Sequence, residues 1–276
     1  MHAFAAAALA ALLAQPLAPE SATAGRATDH GARRYRVGEV AHVAGRTARI
    51  SHGADQGPDQ AEVLYVGDTI SSGDTVASGE AALELFLGLN VRLRLAPSSR
   101  ARFLDIAEIE LGEHTAVRRT VEIVQGAVRA RVRPNVVQPD VLVLRVRGVY
   151  LHAGRPSLAV RDAHGRVERG GTELLVEADP EAKTALITVL NGRVLAVRPE
   201  EPGRREAQQT VLASGEQRAL GKEIGAPLGT ARMLAGDTAA RMQQINRLRR
   251  EHPFRKEAWG EAPAPPPERD RQLDGP

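Results

Sequence analysis

The 276 residues are enough for one or two cores, and 42% hydrophobic content with a mean hydropathy of -0.27 fits a globular chain rather than an integral membrane one. The absence of cysteine excludes disulfides, thiolate metal sites, a cysteine nucleophile and a lipid anchor on an N-terminal cysteine. Net charge is +3 with a pI near 9.7, and all 37 basic residues but Lys183, Lys222 and Lys256 are arginines. Away from the two ends the aromatics are only Tyr35, Tyr65, Phe86, Phe103 and Tyr150. Readers of nucleic acid cluster their charge and add stacking rings, so nucleic acid is not the expected partner.

In chain order, residues 3–14 are uninterruptedly apolar. As a helix this run would extend roughly 18 Å against a hydrocarbon core of about 30 Å, too short to span and the right length for a signal-peptide core. Ala22-Thr23-Ala24 supplies an A-x-A cleavage site. The expectation is a signal peptide over 1–24, a linker over 25–34, export to the periplasm or beyond, and no membrane span in the mature chain.

From Tyr35 onward, short alternating runs recur at spacings of about 8 to 12 residues, the pattern of a β-sandwich or barrel. Leu83, Leu85 and Leu87 alternate with Glu84 and Phe86; Val91, Leu93 and Leu95 with Arg92 and Arg94; Val128, Ala130 and Val132 with Arg129, Arg131 and Arg133. Period two of this kind belongs to a sheet with one wet face. The Gln125-Gly126 pair reads as a break between two strands, and Asn191-Gly192 as a two-residue hairpin. Further strands are expected over 142–146, 157–161, 172–177, 184–190, 193–197, 209–212 and 216–220. After Gly221 the period changes: Ala239, Met242, Ile245 and Leu248 predict one helix over 238–251, capped by Asp237 or Thr238 and ended by Pro253. The proline-rich tail over 260–276 is expected to be disordered. The fold class is therefore all-β over 35–221, an antiparallel sandwich, jelly-roll-like or partly solenoidal, with a helical extension over 222–259.

Residues 67–79 say one phrase twice, Gly67-Asp68-Thr69 and Gly73-Asp74-Thr75. Glycine reaches positive φ freely and the following aspartate can accept from backbone N–H groups, so each is a turn feeding a short strand. Six residues of extended chain separate the carboxylates by about 20 Å at most, too far to share one calcium ion without a return. Asp68 and Asp74 are therefore expected to shape turns. The scattered His42, His52, His114, His152 and His164 show no metal-ligand spacing, and Asp162 with His164 reads first as a hairpin. With no nucleophile, zinc or phosphate-loop motif, neither catalysis nor a cofactor is expected. The arginine-rich strand faces are expected to be solvated, with Glu84, Glu108 and Glu110 opposite the arginines. The Met242, Ile245, Leu248 stripe is expected against a sheet edge.

The ordered set Gly38-Glu39-Val40, Gly67-Asp68, Gly73-Asp74, Ser78-Gly79, Leu95-Ala96-Pro97-Ser98-Ser99, Val124-Gln125-Gly126-Ala127-Val128, Gly171-Thr172-Glu173, Asn191-Gly192-Arg193-Val194 and Ser214-Gly215-Glu216-Gln217 resembles a FecR-type domain. The resemblance covers roughly residues 35–220, with Gly88-Leu89-Asn90 in place of the family's aspartate-glycine-serine hairpin and one or two extra hairpins over 149–169. It implies an exported β-rich interaction domain. The family regulator's cytoplasmic segment and membrane span have no counterpart, so its iron-signalling role is not carried over. The expected function is non-enzymatic protein interaction at the envelope, sensory or scaffolding, with binding of peptidoglycan or another envelope polysaccharide as the alternative.

Overall fold

The computed structural model describes residues 35–44, 47–52, 61–111, 114–135, 139–155, 158, 171–199, 207–221, 228 and 231–255. The expected leader, linker and tail lie outside these residues, as do Asp162, His164 and most of the candidate strand over 157–161.

The described residues form seventeen strands and one helix. The strands are β1 (Arg36–Val43), β2 (Arg49–Ser51), β3 (Glu62–Val63), β4 (Thr69–Ser71), β5 (Thr75–Ala77), β6 (Leu83–Leu87), β7 (Val91–Leu95), β8 (Arg100–Leu111) and β9 (His114–Val132). They continue as β10 (Asp140–Val146), β11 (Val149–Ala153), β12 (Thr172–Asp179), β13 (Thr184–Asn191), β14 (Arg193–Arg198), β15 (Gln208–Ala213), β16 (Glu216–Leu220) and β17 (Arg232–Met233). The helix is α1 (Thr238–Glu251), with the expected limits, and Asp237 Oδ1 accepts from Ala240 N at 2.8 Å as its N-cap.

Two sheets result. Sheet A runs β4-β1-β6-β7-β9-β12-β13-β16-β17. Sheet B runs β3-β2-β5-β8-β9-β10-β11-β14-β15. All ladders are antiparallel except β9–β10, which is parallel, so the array is mixed. Alternate residues of both sheets close on one core: Leu85, Leu93, Val128, Leu174 and Ile187 from sheet A meet Phe103, Val121, Leu144, Leu151 and Ala196 from sheet B. The period-two reading of the strands is thus a reading of which side chains enter this interior.

β9 corrects one expectation. Gln125-Gly126 does not separate two strands; a single 19-residue strand passes through it. Its first part pairs with β8 and β10 in sheet B and its last part with β7 and β12 in sheet A. Gly126 sits at φ +80 where the strand changes sheet, and a Cβ there would stand 2.4 Å from Ser99 Oγ. The turn is fixed by hydrogen bonds among the resemblance motifs. Ala127 N donates to Ser99 Oγ at 3.0 Å, Ser99 N to Ser78 Oγ at 3.0 Å, Ser98 N to Gly79 O at 2.6 Å and Gln125 Nε2 to Ser98 O at 3.0 Å. The Ser-Gly, Pro-x-Ser and Gln-Gly phrases are one corner.

Candidate functional site

The doubled Gly-Asp phrase is architectural. Gly67 and Gly73 adopt φ +90 and +87, and each aspartate reaches back to the N–H three residues earlier: Tyr65 N donates to Asp68 Oδ2 at 2.7 Å, and Ser71 N to Asp74 Oδ2 at 2.8 Å. Ala213 N donates to Glu216 Oε2 at 2.7 Å across Gly215, so Ser214-Gly215-Glu216 is a third copy with a glutamate. Asp74 is fully buried and also meets His52 Nδ1 at 3.1 Å, a pair the sequence pattern did not reveal. His42 and His152 lie on opposite sheets, and His114 begins β9.

The outer face of sheet A carries a block of arginines. In register across it run Glu84, Arg94, Arg129 and Leu175 in one row, and Phe86, Arg92, Arg131 and Glu173 in the next. Sequence periodicity places these side chains outward correctly; the expectation that the arginine faces are solvated fails at the centre of this block, while Glu108 and Glu110 on β8 are exposed as expected. Glu84 is 1% exposed, Arg92 3%, Arg129 6% and Glu173 3%. The cover is α1 and the residues after it. Leu234 and Ile245 pack on Leu175 and Leu190, with Leu248 against them, so the helix lies on the sheet's face and not at its edge. Met242, counted in the stripe, is 46% exposed.

The polar fit is specific. Arg129 forms an ion pair with Glu173 and donates through Nη1 to Arg249 O at 3.1 Å and His252 O at 2.5 Å. Arg92 pairs with Glu84 and donates to Arg255 O at 2.9 Å, while Arg255 N donates to Glu84 Oε1 at 2.8 Å. Arg249 Nη2 stands 3.0 Å from Glu173 Oε2. The Phe254 ring lies between the two buried guanidiniums, 4.9 Å from Arg92 and 4.5 Å from Arg129. Burial pulls the Arg129 pKa down; Glu173 opposes that, and Arg249 and Arg131 add to it. Burial likewise lowers His252, with Arg94 and Arg129 adding to the effect. Glu173 stands in the sequence only as the end of the Gly171-Thr172-Glu173 motif, with no partner indicated, and Phe254 belongs to no motif; an aromatic beside the helix-ending Pro253 in a chain so poor in aromatics is the signal that marks the anchor.

The outer face of sheet B holds a concavity of about 290 Å³ lined by Leu104, Asp105, Arg118, Thr120, Val143, Tyr150 and His152. Register assembles it: Asp105, Thr120, Val143 and His152 stand opposite one another on β8, β9, β10 and β11. A bulge at Leu104 shifts the β8 register between Phe103 and Asp105 and re-aims Asp105 onto that row. Arg118 Nη2 donates to Asp105 Oδ2 at 3.2 Å, and Arg145 lies 5.8 Å from the Tyr150 ring. Among the described residues Asp105 Oδ1 and His152 Nδ1 are buried with no hydrogen-bond partner. Burial, then Arg155 and Arg118, lower the His152 pKa to about 4, so its ring is neutral at neutral pH.

No protein-family model and no curated protein matches the chain. Two crystal structures of a candidate anti-sigma factor from Parabacteroides distasonis ATCC 8503 are similar to part of it. One is 15% identical at a TM-score of 0.37 and covers 59% of this chain; the other is 14% identical at 0.39 and covers 60%. The chain spans about three fifths of the length of these structures, 60% and 62%. Among the described residues no helix is long and apolar enough to cross a membrane.

Proposed function

We propose that this chain is a non-enzymatic, exported interaction domain of FecR type that receives a protein partner at the cell envelope on the outer face of sheet B. One observation carries the reading: the face of sheet A is covered by the chain's own α1, whereas the face of sheet B keeps a concavity in which, among the described residues, His152 Nδ1 and Asp105 Oδ1 are buried without a partner. Leaving such atoms unmatched costs about 1–3 kcal/mol each, a cost that a bound side chain would offset. β15, at the margin of the same sheet among the described residues, adds backbone groups with which a partner strand can pair. A binding role fits the chemistry better than catalysis, because a histidine with a pKa of about 4 is a weak base at neutral pH and its charged neighbours already form the Arg118–Asp105 ion pair. Export rests on the apolar run over 3–14 and the A-x-A site.

The test is a photo-crosslinker at position 150 in a tagged chain, with cell fractionation alongside. The expected result is a leaderless chain in the envelope fraction joined to a protein, and loss of the adduct in Val143→Glu. An uncleaved cytosolic chain would defeat export. A second reading, an envelope polysaccharide, is favoured by the Tyr150 ring standing beside Asp105 and Thr120, an aromatic with hydroxyl-binding groups. Co-sedimentation with purified sacculi that Tyr150→Ala abolishes, without a protein adduct, would select it.

A further inference from the structure

We propose that the arginine block on the outer face of sheet A is a docking surface for an acidic segment of a partner protein, and that residues 234–255 are its displaceable cover. The proposal rests on the reading of the chain as an interaction domain but concerns the other face.

Arg94 stands directly opposite Arg129, and Arg92 opposite Arg131. Like charges in directly opposed positions destabilise a ladder. Glu84 and Glu173 flank the block, one on each side, and leave it an excess of two positive charges. Among the described residues the cover, 234–255, brings no net counter-charge. Residues 234–255 contain five arginines against Asp237 and Glu251, an excess of three positive charges. To the buried guanidiniums the cover presents neutral acceptors, the carbonyls of Arg249, His252 and Arg255, and the face of Phe254. It gives Arg92 and Arg129 neutral acceptors but no counter-charge, and its own Arg249 shares Glu173 with Arg129. Among the described residues Arg94 Nε and Arg131 Nε are buried with no hydrogen-bond partner. The cover's apolar hold is confined to Leu234 and Ile245, with Leu248 packed against them. An acidic segment that offered carboxylates in place of carbonyls would form charge-assisted, bidentate bonds to the same arginines and would not bring like charge to the face.

The full chain is titrated at low salt with poly-L-glutamate, with anionic lipid vesicles and a single-stranded oligonucleotide in parallel, while hydrogen exchange at the amides of 238–251 reports the cover. Poly-L-glutamate is expected to bind, to deprotect those amides and to be released by salt. Ile245→Ser, which loosens the cover, should tighten binding by about tenfold, because less of the protein must first open. Should that variant unfold by circular dichroism, Phe254→Ala takes its place. Arg94→Gln with Arg131→Gln should weaken binding by about tenfold or more. Tyr150→Glu should leave it unchanged, which separates this face from that of sheet B. Binding with the 238–251 amides still protected would overturn the proposal, as would indifference to the arginine substitutions. Tighter binding to vesicles or oligonucleotide than to poly-L-glutamate would also overturn it.

Discussion

The two outer faces of the sandwich are built by the same rule and finished differently. On each, every second residue of the central strands points away from the core. Sheet A fills those positions with Arg92, Arg94, Arg129, Arg131 and their two glutamates, then covers Arg92, Arg129 and both glutamates with α1 and the residues after it. Sheet B mixes the charged Asp105 and Arg118 with Thr120, Val143, Tyr150 and His152 around a cavity. The face with the arginine block is the one sealed by the chain itself, and the face of mixed character carries the concavity. Alternation decides which side chains leave the core, but not whether water meets them; that depends on an element a hundred residues away.

The comparison can be broken first at Glu173. Glu173→Leu strands Arg129 in a buried position without its carboxylate, and losing one member of a buried ion pair typically costs about 3–5 kcal/mol; a urea melt giving less than about 1 kcal/mol would show that this face is wetter than described. The next effect belongs to sheet B and to pH. His152 is held neutral, its pKa lowered from 6.5 to about 4, so the unfolded chain binds the proton more readily. Its contribution to stability is complete above pH 6.5 and is lost as the pH falls from there through 4, by about 3 kcal/mol in all. His152→Gln should flatten that part of the pH–stability curve.

A corner substitution should not distinguish the faces. Asp74→Ala removes the acceptor for Ser71 N and the partner of His52, and is expected to cost about 2 kcal/mol, against about 0.5 kcal/mol for Asp68→Ala at the more exposed turn. Both should lower thermal stability without altering exchange over 238–251 relative to the rest. A small effect on α1 separates the two faces most directly. Asp237→Ala removes the N-cap of α1 and should cost about 1 kcal/mol or less. It should raise hydrogen exchange in α1 while strands on sheet B keep their protection.

Much of this was legible in the residues. Leu83, Leu85 and Leu87 enter the core and Glu84 and Phe86 leave it as their spacing implies, and the limits of α1 follow from Asp237 and Pro253. Other features depend on tertiary context that a local pattern does not encode. Gly126 reads as a break because glycine usually ends strands, yet here it lets Ser99 approach while β9 continues. The parallel β9–β10 ladder leaves no local trace, because period two is the same in either direction. The site on sheet B joins Asp105, Thr120, Val143 and His152 from four strands, and only register reveals that they are neighbours. Phe254 is a different case: one aromatic in a polar end has no period to read, and only its scarcity and its place beside Pro253 mark it.

β9 also has a consequence for how the chain is made. Because one strand is the middle of both sheets, neither sheet has a centre until residue 132 has been synthesised. β1 through β8 can pair among themselves before then, but β7 and β8 each keep an open edge waiting for the same partner. β10 and β12 then add to that partner's other side. Such long-range pairing folds slowly. A chain arrested anywhere before the end of β9 should stay extended and sensitive to protease, and completion of that one strand should protect both sheets at once.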